Sequence, residues 1–329
     1  MSRRPHALLS LAVVAVALTG CSASTAPASS PATSSTPSVP VTIDNCGFEL
    51  TVERPAERIL TIKSSTTEML LALGLGDRII GTAFPDGPVP DQWAVEAADI
   101  PVISDFAPAQ EAVLDLEPDF IYAGWESNLK SDTAGERDAL ASLGIGSYVS
   151  PSACKEPGYK PEKLTFDLVF DEIREAGTVF GAEDAAEELV AEQQGALEAL
   201  SPSTDGLTAL WYSSGTDTPY VGAGIGAPQM MLDAAGLTNV AADVNDTWAS
   251  LGWESIIDAN PDVIVLVDAS WNTAASKIEM LTANPVTAQL DAVAERRFIT
   301  VPFAAGEAGV RNVEAVASIL DQLAALDAR

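Results

Sequence analysis

Residues 110–121, QEAVLDLEPDFI, return at 253–264 as WESIIDANPDVI. Glu111 recurs as Glu254, Asp115 as Asp258, Pro118 as Pro261, Asp119 as Asp262 and Ile121 as Ile264, each 143 positions on (254 − 111). Both copies predict a short helix opened by a carboxylate, broken at proline and running into an apolar strand. Solenoid repeats recur every 20–50 residues or so, so this spacing predicts two like α/β lobes in one chain. Two lobes leave a cleft between them, and a cleft is where a small molecule binds.

The rest of the pattern agrees. A small hairpin is expected within 41–52, turning near Cys46-Gly47. Strands are expected at 58–63, 78–84, 101–104, 119–124 and 145–150, interleaved with helices at 69–73, 109–117 and 133–143. Ser64 to Thr67 followed by Glu68 reads as a capping arrangement for the first of these helices. Strands alternating with helices predict a parallel sheet covered on both faces. The expected fold class is α/β, two Rossmann-like lobes with parallel sheets, 42–160 and 205–329. A helical segment, 161–204, joins them and is weakened by Gly177 and Gly181.

The ends are of another kind. Residues 1–20 read as an export signal: Arg3 and Arg4 precede the apolar run 7–18, which falls short of the ~20 residues needed to span a bilayer. Leu18-Thr19-Gly20-Cys21 looks like a lipobox, with Cys21 the lipidated residue. Residues 21–41, almost wholly Ser, Thr, Ala and Pro, read as a disordered tether. The expected location is the extracytoplasmic face of the cell membrane, reached through lipid alone.

Charge and residue counts then exclude. With 47 acidic against 17 basic residues, nucleic acid and bare anionic membrane are poor partners. The only histidine, His6, lies in the signal, which leaves no imidazole metal site and no Ser-His-Asp engine beyond it. Neither metal nor cofactor is expected. Cys46 and Cys154 remain for an oxidising compartment, where a disulfide is the expectation and two separate buried thiols the alternative.

In open α/β sheets, ligands sit beyond the carboxyl ends of strands. Four such ends supply Ser64, Ser65 and Thr66; Trp125, Glu126 and Asn128; Ser213 and Ser214; and Trp271 with Asn272. Trp125 and Trp271 follow equivalent repeat strands, so their indoles are expected to face one another and to suit a flat aromatic ligand. Trp211, Tyr212 and Gly224 join the candidate set. Lys63 and Arg311 do so as scarce cations near the expected cleft mouth, where Lys155 also lies. The Gly222–Ala227 run fits G-x-G-x-x-A and invites a dinucleotide reading with Asp243 as ribose acid. An exported chain makes close backbone approach the simpler reason for its glycines.

Taken in order, the lipobox, the tether, RILTIKSSTTEMLLALGLGDRIIGTAF, the two E-x6-P-D repeats, the connector and MLDAAGLTNVAAD resemble the solute-binding lipoproteins of bacterial ABC importers. The likeness is to those for vitamin B12 and iron-siderophores (class III periplasmic binding proteins), and it covers nearly all of 42–329. AGWESN, SPSACKEPGY, LWYSSGTDTPYVGAGIGAP and VDASWN resemble the subgroup assigned to a deazaflavin coenzyme precursor, F(420)-0. The resemblance implies a non-catalytic receptor that captures a small aromatic or chelate ligand; a stiff connector predicts modest closure, and with no oligomer signal in the sequence a monomer is the default. The resemblance also implies delivery to a permease and its ATPase, with Glu111 and Glu254 as docking residues. An iron-siderophore, a corrinoid or a cell-surface lipoprotein enzyme is the alternative.

Overall fold

The structure, a computed structural model, describes residues 40–328. The signal segment, Cys21 and the tether through residue 39 lie outside the described residues.

The first half opens with a hairpin, β1 (Val41–Asn45) and β2 (Phe48–Val52), which begins at the last residue expected of the tether. Then come β3 (Ile59–Ile62), α1 (Ser64–Ala72), β4 (Ile79–Ala83), α2 (Ala94–Ala97), β5 (Val102–Ser104), α3 (Gln110–Leu114), β6 (Phe120–Ala123), α4 (Arg137–Ser142) and β7 (Gly146–Val149). Five of these strands form a wholly parallel sheet in the order β5-β4-β3-β6-β7. Every residue of β3 (ILTI) and β6 (FIYA) is buried, the mark of strands covered on both faces. Ile59, Phe120 and Tyr122 pack on the face covered by α1, while Leu60, Ile62 and Ile121 pack on the face covered by α3 and α4.

The joining segment is two helices, α5 (Phe166–Phe180) and α6 (Glu183–Glu198), each too short to be the single rod its length allows. The break falls at Gly181, whose φ of 69° is left-handed backbone that glycine adopts without steric cost. Each helix serves one half. The Phe180 ring at the end of α5 packs 5.3 Å from both Phe120 and Tyr122, while Gln193 of α6 donates from Nε2 to the Val310 carbonyl at 2.7 Å.

The second half runs β8 (Thr208–Ser214), β9 (Tyr220–Gly222), α7 (Ala227–Ala235), β10 (Thr238–Asn239), β11 (Trp248–Ser250), α8 (Trp253–Ala259), β12 (Val263–Asp268), α9 (Ala274–Ala283), α10 (Asp291–Ala294), β13 (Phe298–Pro302) and α11 (Asn312–Asp327). Its sheet is parallel through β8, β12 and β13, with β10 joining parallel at the start of β8. Beyond β8 it departs from the parallel expectation: β9 and β11 form an antiparallel edge. Residues 215–219 are too few for a crossover, so the chain folds back on itself as a hairpin.

The internal repeat has a structural meaning. Asp119, just before β6, accepts the backbone N–H groups of Glu57 and Arg58 at the entrance to β3. Asp262, just before β12, accepts the backbone N–H and the hydroxyl of Thr208 at the start of β8, both at 2.7 Å. In each half the aspartate pins the central strand beside the repeat strand. Cys46 and Cys154 are joined as a disulfide with Cα atoms 5.3 Å apart, tying the hairpin turn to the segment after β7. Among the described residues no helix is long and apolar enough to cross a membrane.

Candidate functional site

A cleft of about 880 Å³ lies between the halves. Ser65, Phe84 and Trp125 line it from the first half and Ser213, Trp271 and Phe303 from the second, each at or just past the carboxyl end of a strand. Their rings form a chain across the gap. Trp125 meets Phe84 edge-on at 5.5 Å and Phe303 at 6.4 Å, and Phe303 meets Trp271 at 5.6 Å. The two indoles thus meet through Phe303 rather than each other, and Trp271 keeps 46 % of its surface exposed.

One cation sits inside this chain. The Nζ of Lys63 lies 4.1 Å from the Phe84 centroid, 4.0 Å from Trp125 and 4.5 Å from Phe303, fully buried and paired with the Asp86 carboxylate. Burial pushes the Asp86 carboxyl up and the Lys63 ammonium opposes it. Lys63 also holds φ 91°, a strained backbone for a residue with a Cβ, at the point where β3 turns into α1. Asp86 in turn accepts at its backbone carbonyl from Ser270 N–H at 3.0 Å, a contact from the other half. Trp125 donates from Nε1 to Glu307 Oε2 at 2.9 Å, also across the gap, and burial raises the Glu307 carboxyl despite Lys63.

Several expected ligand residues are placed elsewhere. Lys63 is enclosed by Asp86 and three rings and is not among the residues that line the cleft. Arg311 lies 3.6 Å from the buried Glu68, and burial outweighs that cation in pushing the Glu68 carboxyl up to about 7. Glu68 therefore caps nothing. α1 begins at Ser64, earlier than expected, with no side-chain cap. Thr66 turns its hydroxyl onto the Ile62 and Lys63 carbonyls, and Ser64 Oγ accepts the Asp86 N–H. Asn128 is buried, its Oδ1 accepting the Trp125 N–H. Trp211 is core, and Tyr212 is buried with its hydroxyl on the Gly215 carbonyl. Gly224 passes under residues 242–244, where a Cβ would stand 2.0 Å from the Ala242 carbonyl oxygen. Asn272 holds the start of α9, accepting from Ser276 Oγ.

Ser65, Trp125, Glu126, Ser213, Ser214 and Trp271 do line the cleft. Glu126 accepts the Lys155 N–H at 2.6 Å, and Lys155 itself reaches across to Thr247. The sequence reading missed Phe84, Phe303, Tyr220 and Trp248. The strand-end rule, applied also to β4 and β13, finds Phe84 and Phe303. Tyr220 and Trp248 belong to the antiparallel edge, which a wholly parallel expectation does not contain. Glu111 and Glu254 stand exposed in the first turns of α3 and α8. Among the described residues no group of three His, Cys, Asp or Glu side chains converges as a metal site would.

Two α/β halves about an aromatic cleft define a binding-protein fold, and the chain belongs to the periplasmic binding protein family, whose pattern matches residues 59–305. It is 25 % identical, over 98 % of both chains, to an uncharacterized ABC transporter substrate-binding lipoprotein, YvrC, of Bacillus subtilis. It is 28 % identical to a cobalamin-binding protein of Halobacterium salinarum, over 78 % of this chain and 67 % of that one. The crystal structure of a periplasmic binding protein from Veillonella parvula superposes with a TM-score of 0.75 at 27 % identity, over 87 % of this chain and 97 % of the other.

Proposed function

We propose that this protein is the extracytoplasmic substrate-binding component of an ABC importer, held to the membrane through Cys21. It captures a small planar aromatic ligand between its two halves without altering it. The observation that supports this most is the aromatic lining of the cleft, drawn from both halves at strand ends. Trp125 and Trp271 are the ligand-contacting indoles, with Ser65, Ser213 and Ser214 as nearby polar partners. The favoured ligand is a deazaflavin coenzyme precursor, whose flat ring and hydroxyls suit such a lining. Residues 42–160 and 205–329 act as the two lobes, and 161–204 as their connector. Glu111 and Glu254, presented alike on the two halves, dock the loaded protein on a permease.

A second reading is favoured by the cobalamin-binding relative of H. salinarum: a corrinoid or other chelate in the same cleft. One experiment separates the two. The protein is purified from its own cells without denaturation, its visible spectrum is recorded, and the extracted small molecules are weighed by mass spectrometry. A deazaflavin is the expected cargo; a corrinoid or an iron chelate sinks that assignment and leaves the receptor role. Chemical conversion of the cargo by the purified protein sinks the receptor role itself.

A further inference from the structure

Lys155 leaves the segment after β7 and crosses the cleft. Its Nζ donates to Thr247 Oγ1 at 2.9 Å and stands 3.9 Å from Asp246 Oδ1. Lys160 reaches the same carboxylate oxygen at 3.3 Å. Two ammoniums therefore converge on one carboxylate beside the cleft, in a chain of formal net charge −30. The Lys155 side chain is 56 % exposed, and an ion pair so open to water holds its partners weakly. The neighbouring cations are bound more firmly: Lys63 is enclosed, and Arg137 gives its guanidinium to Asn45 and Ser147. Lys130 also lines the cleft, exposed and in none of the ion pairs of the described residues; of the cations already paired there, Lys155 is the one that can change partner at little cost.

A flat surface lies beside it. Trp248, which follows Thr247, stacks on Tyr220 at 5.9 Å between centroids and 13° between planes. The antiparallel pairing of β9 with β11 sets these rings side by side at the cleft wall, and Tyr220 keeps 42 % of its surface exposed. A stacked pair with one open face is a platform for a third ring.

We infer that Lys155 is the anion-recognising residue of the cleft: it exchanges Asp246 for an acidic group on the ligand while the Tyr220–Trp248 pair takes the ligand's ring. This rests on the proposed binding role and deepens it, because it commits the ligand to being a planar acid. Three carboxylates also line the cleft, Glu126, Glu156 and Glu307. Glu126 and Glu307 each commit one oxygen to a hydrogen bond, from the Lys155 backbone N–H and the Trp125 indole, while Glu156 is exposed to solvent.

The sign of the charge effect is the test. Two probes are titrated by tryptophan fluorescence: F(420)-0, which carries an acidic side-chain group, and the deazariboflavin that shares its ring and lacks that group. Wild type binds the acidic probe about tenfold more tightly, the order expected of one charge-assisted hydrogen bond. Lys155→Gln removes that margin, Asp246→Asn widens it by freeing the ammonium, and Tyr220→Ala weakens both probes alike. Unchanged thermal midpoints confirm that the variants fold. Equal affinity for the two probes in wild type, or weaker acidic binding in Asp246→Asn, overturns the inference and leaves the binding role intact. Failure of both probes to bind overturns the deazaflavin reading and the inference with it.

Discussion

Phe303, at the end of β13, sets its ring 4.5 Å from the ammonium of Lys63, which belongs to the other half of the molecule. Two further residues of the same segment, at four-residue spacing, also reach across: Glu307 accepts the Trp125 indole N–H, and Arg311 lies against Glu68. Residues 303–311 thus form one clasp that holds the halves together. The clasp adds a cation–π contact and two charged contacts to ordinary packing.

Phe303→Ala empties a buried ring site and removes the cation–π contact, so unfolding stability falls by about 3–5 kcal/mol. Phe303→Leu keeps most of the apolar volume and loses the ring's attraction for Lys63, about 0.5–2 kcal/mol of the total. Denaturant melts of the two variants measure both figures. If leucine restores wild-type stability, the ring contributes packing alone.

The Lys63–Asp86 pair is fully buried, and removing one charge strands the other out of water. Lys63→Met and Asp86→Leu are each expected to cost roughly 3–5 kcal/mol, while the double variant lies closer to wild type than either single one. A double-mutant cycle read by urea unfolding checks this. Strictly additive losses would mean that the two groups do not depend on each other.

Stability should also fall as pH rises from mildly acidic to about 8. Glu172 of α5 is buried, which pushes its carboxyl up to about 8 against the weaker pull of Ser152. A carboxyl raised in the folded state holds its proton there more tightly than in the unfolded chain. Its stabilising effect is full below the unfolded value near 4.5 and is lost as pH climbs through about 8. Glu68, pushed up to about 7, acts in the same direction. The thermal midpoint should therefore decline between pH 5 and pH 8 or so, and Glu172→Gln, which carries no proton to lose, should flatten that decline. A variant with the wild-type slope would put the dependence on other groups.

Reduction should be costly too. The Cys46–Cys154 bridge spans a sequence separation of 108, and closing a loop that long restricts the unfolded chain by about 4–5 kcal/mol on the chain-entropy estimate. The double alanine variant, melted beside wild type with and without reductant, should show that loss only against the oxidised protein. Equal stability of all three would mean the bridge sits in a region that unfolds independently.

What was legible in the sequence was what depends on neighbours along the chain. The repeat located α3 with β6 and α8 with β12, because a carboxylate, a proline and an apolar run act within a dozen positions. The strand-end rule placed Trp125, Trp271, Ser65, Ser213 and Ser214 at the cleft for the same reason. Lys155 lines the cleft as expected, whereas Lys63 and Arg311 are drawn away from its mouth by partners distant in sequence. Lys63 finds Asp86 beyond α1 and β4, and Arg311 finds Glu68 across the whole connector. Nothing local to either lysine or arginine records a carboxylate that folding will bring within reach. Tyr220 and Trp248 were hidden by the antiparallel edge, a change of strand direction that alternating strands and helices do not announce.

Glu111 and Glu254 give the docking proposal its test. Each stands exposed in a helix's first turn, where a carboxylate contributes only about 0.3–1 kcal/mol through the helix dipole. Reversing both charges to lysine should therefore leave folding and ligand affinity nearly intact, since neither residue lines the cleft. Uptake by cells should fall about tenfold or more, because an attractive charge at each of two permease contacts becomes a repulsive one. Each single reversal should give an intermediate loss, and restoring acid as Asp should recover part of it. The decisive comparison is transport rate against ligand affinity in the same variants: full uptake by the doubly reversed protein means the two glutamates act only on their helix dipoles.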